Sequence, residues 1–258
     1  MNSKKKITNK VEICILAAGM GSRMKSDKPK VLHTLAGQPL LGHLVETVQG
    51  ICPDNIHVVI GKGADQVEQA FRGSGLNWVY QREQMGTGHA VMQALPVISN
   101  DSRVLILLGD APLIKLSTVQ KLIAADCDLG ILTVNLGNPF NYGRIVRDDG
   151  EQILAIVEEK DATQAQKKIN EINSGVMITT GTLLTDWLSR IDTDNAQGEY
   201  LLTDIVGLAN QDGCKVRAIV TDDPLEASGI NNFSQLAALE KVYQMRRAEA
   251  LMEAGVHV

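Results

Sequence analysis

Val11-Glu12-Ile13-Cys14-Ile15-Leu16-Ala17-Ala18-Gly19-Met20-Gly21-Ser22-Arg23-Met24, followed by Lys28-Pro29-Lys30-Val31-Leu32, is the stretch from which the rest of the chain is read. The β-branched and apolar run over 11–16 predicts a buried strand. It feeds into a turn holding two glycines and one arginine, with a second cation close behind. Gly19 and Gly21 are expected to take positive φ, let backbone approach a ligand and aim main-chain N–H groups at phosphate oxygens. Arg23 and Lys30 would supply the positive charge. A seat for a nucleoside triphosphate is the expectation, and a plain strand-to-helix turn with solvated cations is its alternative. The spacing excludes two commoner phosphate loops. A Walker loop needs Gly, four residues, then Gly-Lys and a hydroxyl residue; a dinucleotide fingerprint needs a third glycine where Met24 stands.

Working outward, strand-like runs at 12–16, 57–60, 78–80 and 103–108 alternate with helical stretches at 40–48, 64–71, 88–95 and 117–125. Ser117 or Thr118 is placed to cap the last of these helices. This rhythm predicts an α/β fold with a doubly wound, mostly parallel sheet. After 129 the rhythm changes. Runs at 129–136, 143–147, 153–158 and 175–179 read as strands joined by turns such as Asp148-Asp149-Gly150. They predict a smaller, mixed β region packed on the first half and walling a cleft. From 233 to 254 the sequence is strongly helical, with Leu236, Leu239, Val242 and Tyr243 on an apolar stripe.

Composition sets outer bounds. With 258 residues the chain can bury a sizeable core, and only 3% are aromatic, so Val, Leu, Ile and Ala must fill it. A formal charge of -5 gives no global attraction to nucleic acid or an anionic membrane, so neither partner is expected. Cys14, Cys52, Cys127 and Cys214 are scattered without metal-ligand spacing and read as reduced thiols. Lys4, Lys5 and Lys6 precede no apolar segment of signal length, and a cytoplasmic location is expected. His33, His43, His57, His89 and His257 form no legible catalytic or metal constellation and are assigned to structure or surface.

The glycine loop, Pro29-Lys30-Val31-Leu32, the segment 81–90 and Gly109-Asp110 together resemble the sugar-phosphate nucleotidylyltransferases. Further motifs narrow the resemblance: Gln84-Met85-Gly86-Thr87-Gly88-His89-Ala90, Tyr142-Gly143-Arg144-Ile145, Val157-Glu158-Glu159-Lys160-Asp161-Ala162, Glu171-Ile172-Asn173-Ser174-Gly175, Asn195-Ala196-Gln197-Gly198-Glu199-Tyr200 and Gly229-Ile230-Asn231-Asn232. In that order they resemble the uridylyltransferase half of the bacterial bifunctional N-acetylglucosamine-1-phosphate uridylyltransferase / glucosamine-1-phosphate acetyltransferase family. The resemblance implies a Rossmann-like nucleotidylyltransferase domain over 10–232, with 233–258 as the helix that connects to a β-helix in that family. The hexapeptide period of such a β-helix is not readable here, so acetyltransfer is not expected of these residues.

Asp110 ends the most apolar strand, where open α/β sheets place ligands. Gly-Asp there is an ordinary turn or a Mg²⁺ site, since Mg²⁺ takes one or two protein oxygens and fills the rest with water and phosphate. The resemblance implies Mg²⁺ on Asp110 and Asn231, and a catalytic set of Arg23, Lys30 and Asp110. It implies nucleotide contacts from Leu16, Ala17, Ala18, Gly19, Gly21, Lys30, Gln81, Gly86 and Thr87, with the Gln81 amide and loop backbone suited to a uracil edge. It implies amino-sugar contacts from Gly143, Glu158 and Asn173. The implied substrates are UTP and N-acetylglucosamine 1-phosphate, giving UDP-N-acetylglucosamine and pyrophosphate. Leu108, Ala111 and Leu201 stand where that family more often has Tyr, Val and Tyr, so another sugar 1-phosphate stays open. A non-catalytic nucleotide-sugar-binding domain is the alternative from a different class; Arg23, Lys30, Asp110 and Asn231 together favour catalysis.

Overall fold

In a computed structural model, residues 10–19 and 21–258 are described; Met20 and the Lys4-Lys5-Lys6 run lie outside the described residues. The 11–16 run forms β1 (Val11–Leu16), and the apolar 103–108 run forms β6 (Arg103–Leu108), its parallel neighbour. Between them come the hairpin β2 (Thr34–Leu35) and β3 (Gln38–Pro39), helix α1 (Leu40–Gln49), β4 (Asn55–Ile60), α2 (Ala64–Ala70), β5 (Asn77–Tyr80) and α3 (Thr87–Ala94). Beyond β6 follow α4 (Leu116–Ala124), β7 (Leu129–Asn135), β8 (Arg144–Arg147), β9 (Ile153–Val157), β10 (Glu171–Thr180), α5 (Gly181–Leu188), α6 (Ile205–Gln211), β11 (Val216–Thr221) and α7 (Phe233–Glu253).

The main sheet runs β11-β7-β10-β6-β1-β4-β5. Its pairs are parallel except those of β10, which is antiparallel to both β6 and β7. Chain order reverses between β1 and β6, because β4 and β5 are laid on one side and β6 on the other. That reversal opens a crevice outside the carboxyl ends of these two strands, where open sheets bind ligands. Both faces of the sheet are covered. Along β1, Ile13 and Ile15 pack into the layer under α1, α2 and α4, while Cys14 packs into the layer under α3, α5 and α6. Leu105 and Leu107 of β6 follow the first set, Val104 and Ile106 the second, the period of two that a strand imposes. In α1, Leu41, Leu44, Val45 and Val48 are buried at helical spacing.

The α/β class and mostly parallel sheet are as the sequence implied, and three details differ. The second-half strands do not make a separate layer: β7, β10 and β11 extend the main sheet, and only the β8–β9 hairpin branches from it, at Ile172 opposite Arg144. Their hydrogen bonds continue the ladder because β10 returns antiparallel along β6. Neither Ser117 nor Thr118 caps α4. The helix starts earlier, at Leu116, with Lys115 as an N-cap that makes no side-chain bond. On α7, Leu239 is buried and Leu236 and Tyr243 pack beside it against Leu35, Leu40 and Ile230, whereas Val242 is exposed. No disulfide joins any of the four cysteines. No helix among the described residues is long and apolar enough to cross a membrane.

Candidate active site

The glycine loop leaves β1 at the crevice, turns through a short 3₁₀ segment at Ser22–Met24 and returns through another at Lys30–Leu32. Of its two glycines only Gly21 takes positive φ, at +57°. A Cβ there would lie 2.9 Å from Lys30 Cβ, so the missing side chain lets the lysine pass. The expectation for Gly19 is corrected: it is not left-handed, and a Cβ on it would meet no atom within 4 Å. Among the described residues nothing crowds Gly19, so the loop backbone is open to close approach there.

Lys30 reaches Asp110, which β6 delivers through Gly109. The Gly109 N–H donates to Leu16 O at 2.9 Å, tying the ends of the two strands together. Lys30 Nζ forms an ion pair with Asp110 Oδ2 and donates to Asn231 Oδ1 at 3.3 Å. Arg23 Nη2 donates to the same Asn231 oxygen at 3.1 Å. Asn231 is fixed from two sides: the preceding Ile230 N–H donates to Asp110 O at 3.0 Å, and its own N–H donates to Gln235 Oε1 at 2.7 Å. Four side chains from three separated segments thus meet at one point, two of them cations and one a carboxylate. Asp110 Oδ2 and Asn231 Oδ1 converge on a single cationic centre, the ammonium of Lys30.

Two cavities meet at this cluster. One, of about 360 Å³, is lined by Leu16, Ala17, Ala18, Gly19, Lys30, Gln81, Gly86, Thr87 and Asp110, together with Gln84, Ala90 and Glu199. The other, of about 420 Å³, is lined by Arg23, Asp110, Gly143, Glu158, Asn173 and Asn231, with an apolar wall that includes Leu202, Met177 and Ala227. Leu16, Thr87, Leu108 and Asp110 border both. Of the residues given catalytic, nucleotide, sugar or metal roles, all line this cleft except Gly21, which lines neither cavity and packs against Lys30; Ala111 and Leu201 line neither.

The wall of the first cavity is built by long-range pairing. Gly86, at φ +109°, presses against Tyr200, whose carbonyl oxygen would lie 2.4 Å from a Cβ at that position. Tyr200 N–H donates to Met85 O and Gly88 N–H donates to Tyr200 O, both at 2.8 Å. Thr87 Oγ1 accepts from Leu202 N–H at 3.0 Å. The Gln81 amide is buried and turned inward, its Nε2 donating to Gly86 O at 3.1 Å and lying 3.1 Å from His89 Nδ1. Gln84 and Glu199 were not legible as lining residues, since their place depends on this pairing.

In the second cavity Asn173 N–H donates to Gly143 O at 2.9 Å, and the Asn173 amide oxygen accepts from Gly175 N–H at 3.0 Å. Thr203 Oγ1 donates to Glu158 Oε1 at 3.3 Å. Burial pushes the Glu158 carboxyl above the ordinary carboxylate range; the Thr203 bond opposes that, and Asp204 and Asp161 add to it. A partly desolvated carboxyl and an amide facing one hollow suit directional recognition of hydroxyl and amide groups.

The model of the MobA-like NTP transferase domain family matches residues 13–170. Bifunctional protein GlmU of Pseudomonas aeruginosa (strain LESB58) is 52% identical over 248 residues, covering 95% of this chain and 54% of that protein. GlmU of Pseudomonas paraeruginosa (strain DSM 24068 / PA7) gives the same figures. The chain spans about half the length of the curated relatives it matches. Among solved structures, a UDP-glucose pyrophosphorylase complexed with UDP-glucose superposes with a TM-score of 0.72 at 17% identity, covering 92% of this chain and 99% of that one. A putative glucose-1-phosphate thymidylyltransferase from Bacillus anthracis gives 0.70 at 17%, covering 90% and 94%. These two share the fold. Because the family model spans more than half of the sequence and takes in the glycine loop, Lys30, Asp110 and the Gly86 loop, this chain belongs to the MobA-like NTP transferase domain family.

Proposed function

We propose that the chain transfers a uridylyl group from UTP to N-acetylglucosamine 1-phosphate, giving UDP-N-acetylglucosamine and pyrophosphate. The observation that carries this reading is the cluster of Arg23, Lys30, Asp110 and Asn231 where the two cavities meet. A nucleotide in the first cavity and a sugar phosphate in the second would bring their reacting phosphates to that junction. Likeness over 95% of the chain to a bifunctional GlmU protein supports the choice of substrates. UTP as a substrate implies a cytoplasmic reaction.

The acceptor phosphate needs no general base, since its second pKa of about 6 leaves it mostly ionised at neutral pH. Its oxygen attacks the α-phosphorus in line as pyrophosphate leaves, so the protein's task is positioning and charge neutralisation. Lys30 is placed to offset charge growing on the α-phosphate, and Arg23, at the mouth of the second cavity, to hold phosphate oxygens. Loop backbone at Leu16, Ala17, Ala18 and Gly19 lies along the nucleotide, with Gln81 shaping the Gly86-Thr87 turn that faces the base. Gly143, Glu158 and Asn173 take the sugar. The convergence of Asp110 Oδ2 and Asn231 Oδ1 on one cationic centre fits a hard divalent ion, and these two residues would hold Mg²⁺, which supplies charge neutralisation at the reacting phosphate. On this reading 10–232 is the transferase unit and 233–258 an appended helix, Leu239 being the one buried side chain of α7.

The test is pyrophosphate release from UTP with and without Mg²⁺, comparing N-acetylglucosamine 1-phosphate, glucosamine 1-phosphate and glucose 1-phosphate. Metal-dependent release with the N-acetylated sugar preferred is the expected result. Preference for another sugar would move the substrate, to which Leu108 at the border of both cavities would then be the pointer; no release with any sugar would leave a binding domain.

A further inference from the structure

Arg144 carries a cost that the fold alone does not explain. Its side chain is 2% exposed, and Nε is buried with no hydrogen-bond partner among the described residues. A buried unpaired donor is destabilising, and an apolar residue of similar volume at a buried ionic position is often as stabilising or more so. Something other than stability accounts for an arginine here.

The contacts of Arg144 say what that is. Nη2 donates to Glu159 Oε2 at 2.6 Å, and Nη1 donates to the Tyr142 carbonyl oxygen. Glu159 also accepts from the backbone N–H of Asn141. One guanidinium–carboxylate pair thus fastens the loop ending at Tyr142 to the turn that follows β9. Neither Arg144 nor Glu159 lines the cleft, yet the residues beside them in sequence, Gly143 and Glu158, both do. Arg144 stands opposite Val157 in the β8–β9 register, and successive side chains of strands face opposite sides, so the pair lies behind the wall of which Gly143 and Glu158 are the front. The spacing across that front is tight, since a Cβ on Gly143 would come within 3.3 Å of Glu158 Oε1.

We propose that the Arg144–Glu159 pair is a positioning brace for the sugar side of the cleft, setting the distance between the Gly143 backbone and the Glu158 carboxyl without touching substrate. The inference rests on the reading of this cavity as the sugar-phosphate site. It assigns a function to Glu159 that its place in a charged turn would not suggest. The planar guanidinium reaches both partners from separate nitrogens, Nη1 on the Tyr142 carbonyl and Nη2 on Glu159, and holds them at a fixed separation; a lysine would have to serve both from one nitrogen and would draw them out of that spacing.

Steady-state kinetics with both substrates varied, on Glu159→Ala, Glu159→Gln and Arg144→Lys, tests this. Glu159→Ala and Arg144→Lys should raise KM for the sugar phosphate by about tenfold or more, leaving KM for UTP and kcat within about threefold. Glu159→Gln keeps an acceptor for the guanidinium and should recover most of the loss. Amide hydrogen exchange without substrate should quicken by about fivefold or more in 139–143 and 158–162 of Glu159→Ala, and nowhere else. Equal rises in both KM values, no rise in either, or unchanged exchange in those two segments overturns the proposal. If the unaltered protein turns over no sugar phosphate, the functional reading fails, and the exchange experiment still decides the brace. Arg144→Lys risks misfolding because the site is buried, so Glu159→Ala, at a position 18% exposed, is the deciding variant.

Discussion

Replacing Lys30 with alanine separates the two things this side chain does. It pairs with Asp110 in a contact where the two side chains are 13% and 17% exposed, and it shares the Asn231 oxygen with Arg23. As a partly buried ion pair its loss costs about 1–2 kcal/mol, held down because Asp110 borders both cavities and can take up water in its place, which in a domain of this size shifts Tm by about 2–8 °C. As a cation aimed at charge that develops in the transition state it is worth about 3–4 kcal/mol, which converts to a rate factor of about 10²–10³. Activity should therefore fall far more than stability. The assay is pyrophosphate release at saturating Mg²⁺, read as kcat/KM for UTP, beside thermal unfolding of the same preparation. The expected outcome is a drop of about 100-fold or more with a small change in Tm. A loss under about tenfold would mean that the ammonium only fills the space between Asp110 and Asn231, and the charge-offsetting role would be withdrawn.

Asp110→Ala should abolish Mg²⁺-dependent turnover, and activity retained at ordinary Mg²⁺ would remove Asp110 from the metal site. Gly21→Ala places a Cβ 2.9 Å from Lys30 Cβ at a φ of +57°; the left-handed backbone costs about 1–2 kcal/mol, and the displaced lysine should lower kcat/KM by about tenfold. An active, equally stable Gly21→Ala protein would contradict both. Burial opposes the Glu12 carboxylate, but hydrogen bonds from His57 and Ser99 outweigh it and hold its pKa below the ordinary glutamate range. A depressed carboxylate stabilises above its unfolded pKa and loses that contribution as pH falls through the folded value, so the Tm advantage over Glu12→Gln should shrink steadily below pH ~4.5. Asp204 behaves oppositely, pushed up to about 6 by burial, with Asp192 and Asp161 adding to the shift. Its native state binds the extra proton, so stability falls as pH rises between roughly 4 and 6, and Asp204→Asn should raise Tm at pH ~7.5 but not near pH ~4. A pH-independent difference in either pair of melts would refute the corresponding assignment.

How far the sequence is legible depends on how far each signal is local. β1 from Ile13 onward and β6 from Val104 onward are continuous apolar runs because both faces are covered, and such runs are read without knowing their neighbours. β10 is harder. Its ten residues contain Gly175 at φ +82°, and its register with β7 shifts between Asn173 and Met177, so the sequence shows a turn followed by a short strand where the backbone makes one bulged strand. β11 has a faint pattern for the reverse reason: as a sheet edge it keeps Val220 half exposed and carries Arg217, which blurs its apolar run. At the site, motif residues were found because their chemistry is written in their type. Gln84 and Glu199 were not, because the fold of 199–202 onto 85–88 is a contact across more than a hundred residues with no local signature. Thr203 and the Arg144–Glu159 pair have the same character, being bonds to other side chains rather than to a ligand.

The antiparallel course of β10 is what allows a single cleft to hold both halves of the site. A parallel strand beside β6 would present its last residues, and the connection to its following helix, at the ligand-binding end. β10 instead pairs Thr180 with Arg103 and Met177 with Ile106, so its early residues lie at the end where β6 delivers Leu108 and Asp110. Gly175 is there, with Leu108 Cδ1 so close that a Cβ would stand 2.5 Å from it, and Asn173 follows at the cavity wall. The same end of β10 is where β8 attaches, opposite Ile172, and β8 with β9 brings Gly143 and Glu158 to the other side of the hollow. One reversal of direction therefore sets a polar, side-chain-built pocket against the glycine loop. That predicts a separable response: lengthening the connection between β9 and β10, at the exposed Thr163-Gln164 turn, should disturb neither cavity, whereas Gly175→Ala should drive Leu108 out of place and raise KM for the sugar phosphate by about tenfold with little change for UTP. Equal loss for both substrates in Gly175→Ala would show that the two cavities do not answer to separate parts of the sheet.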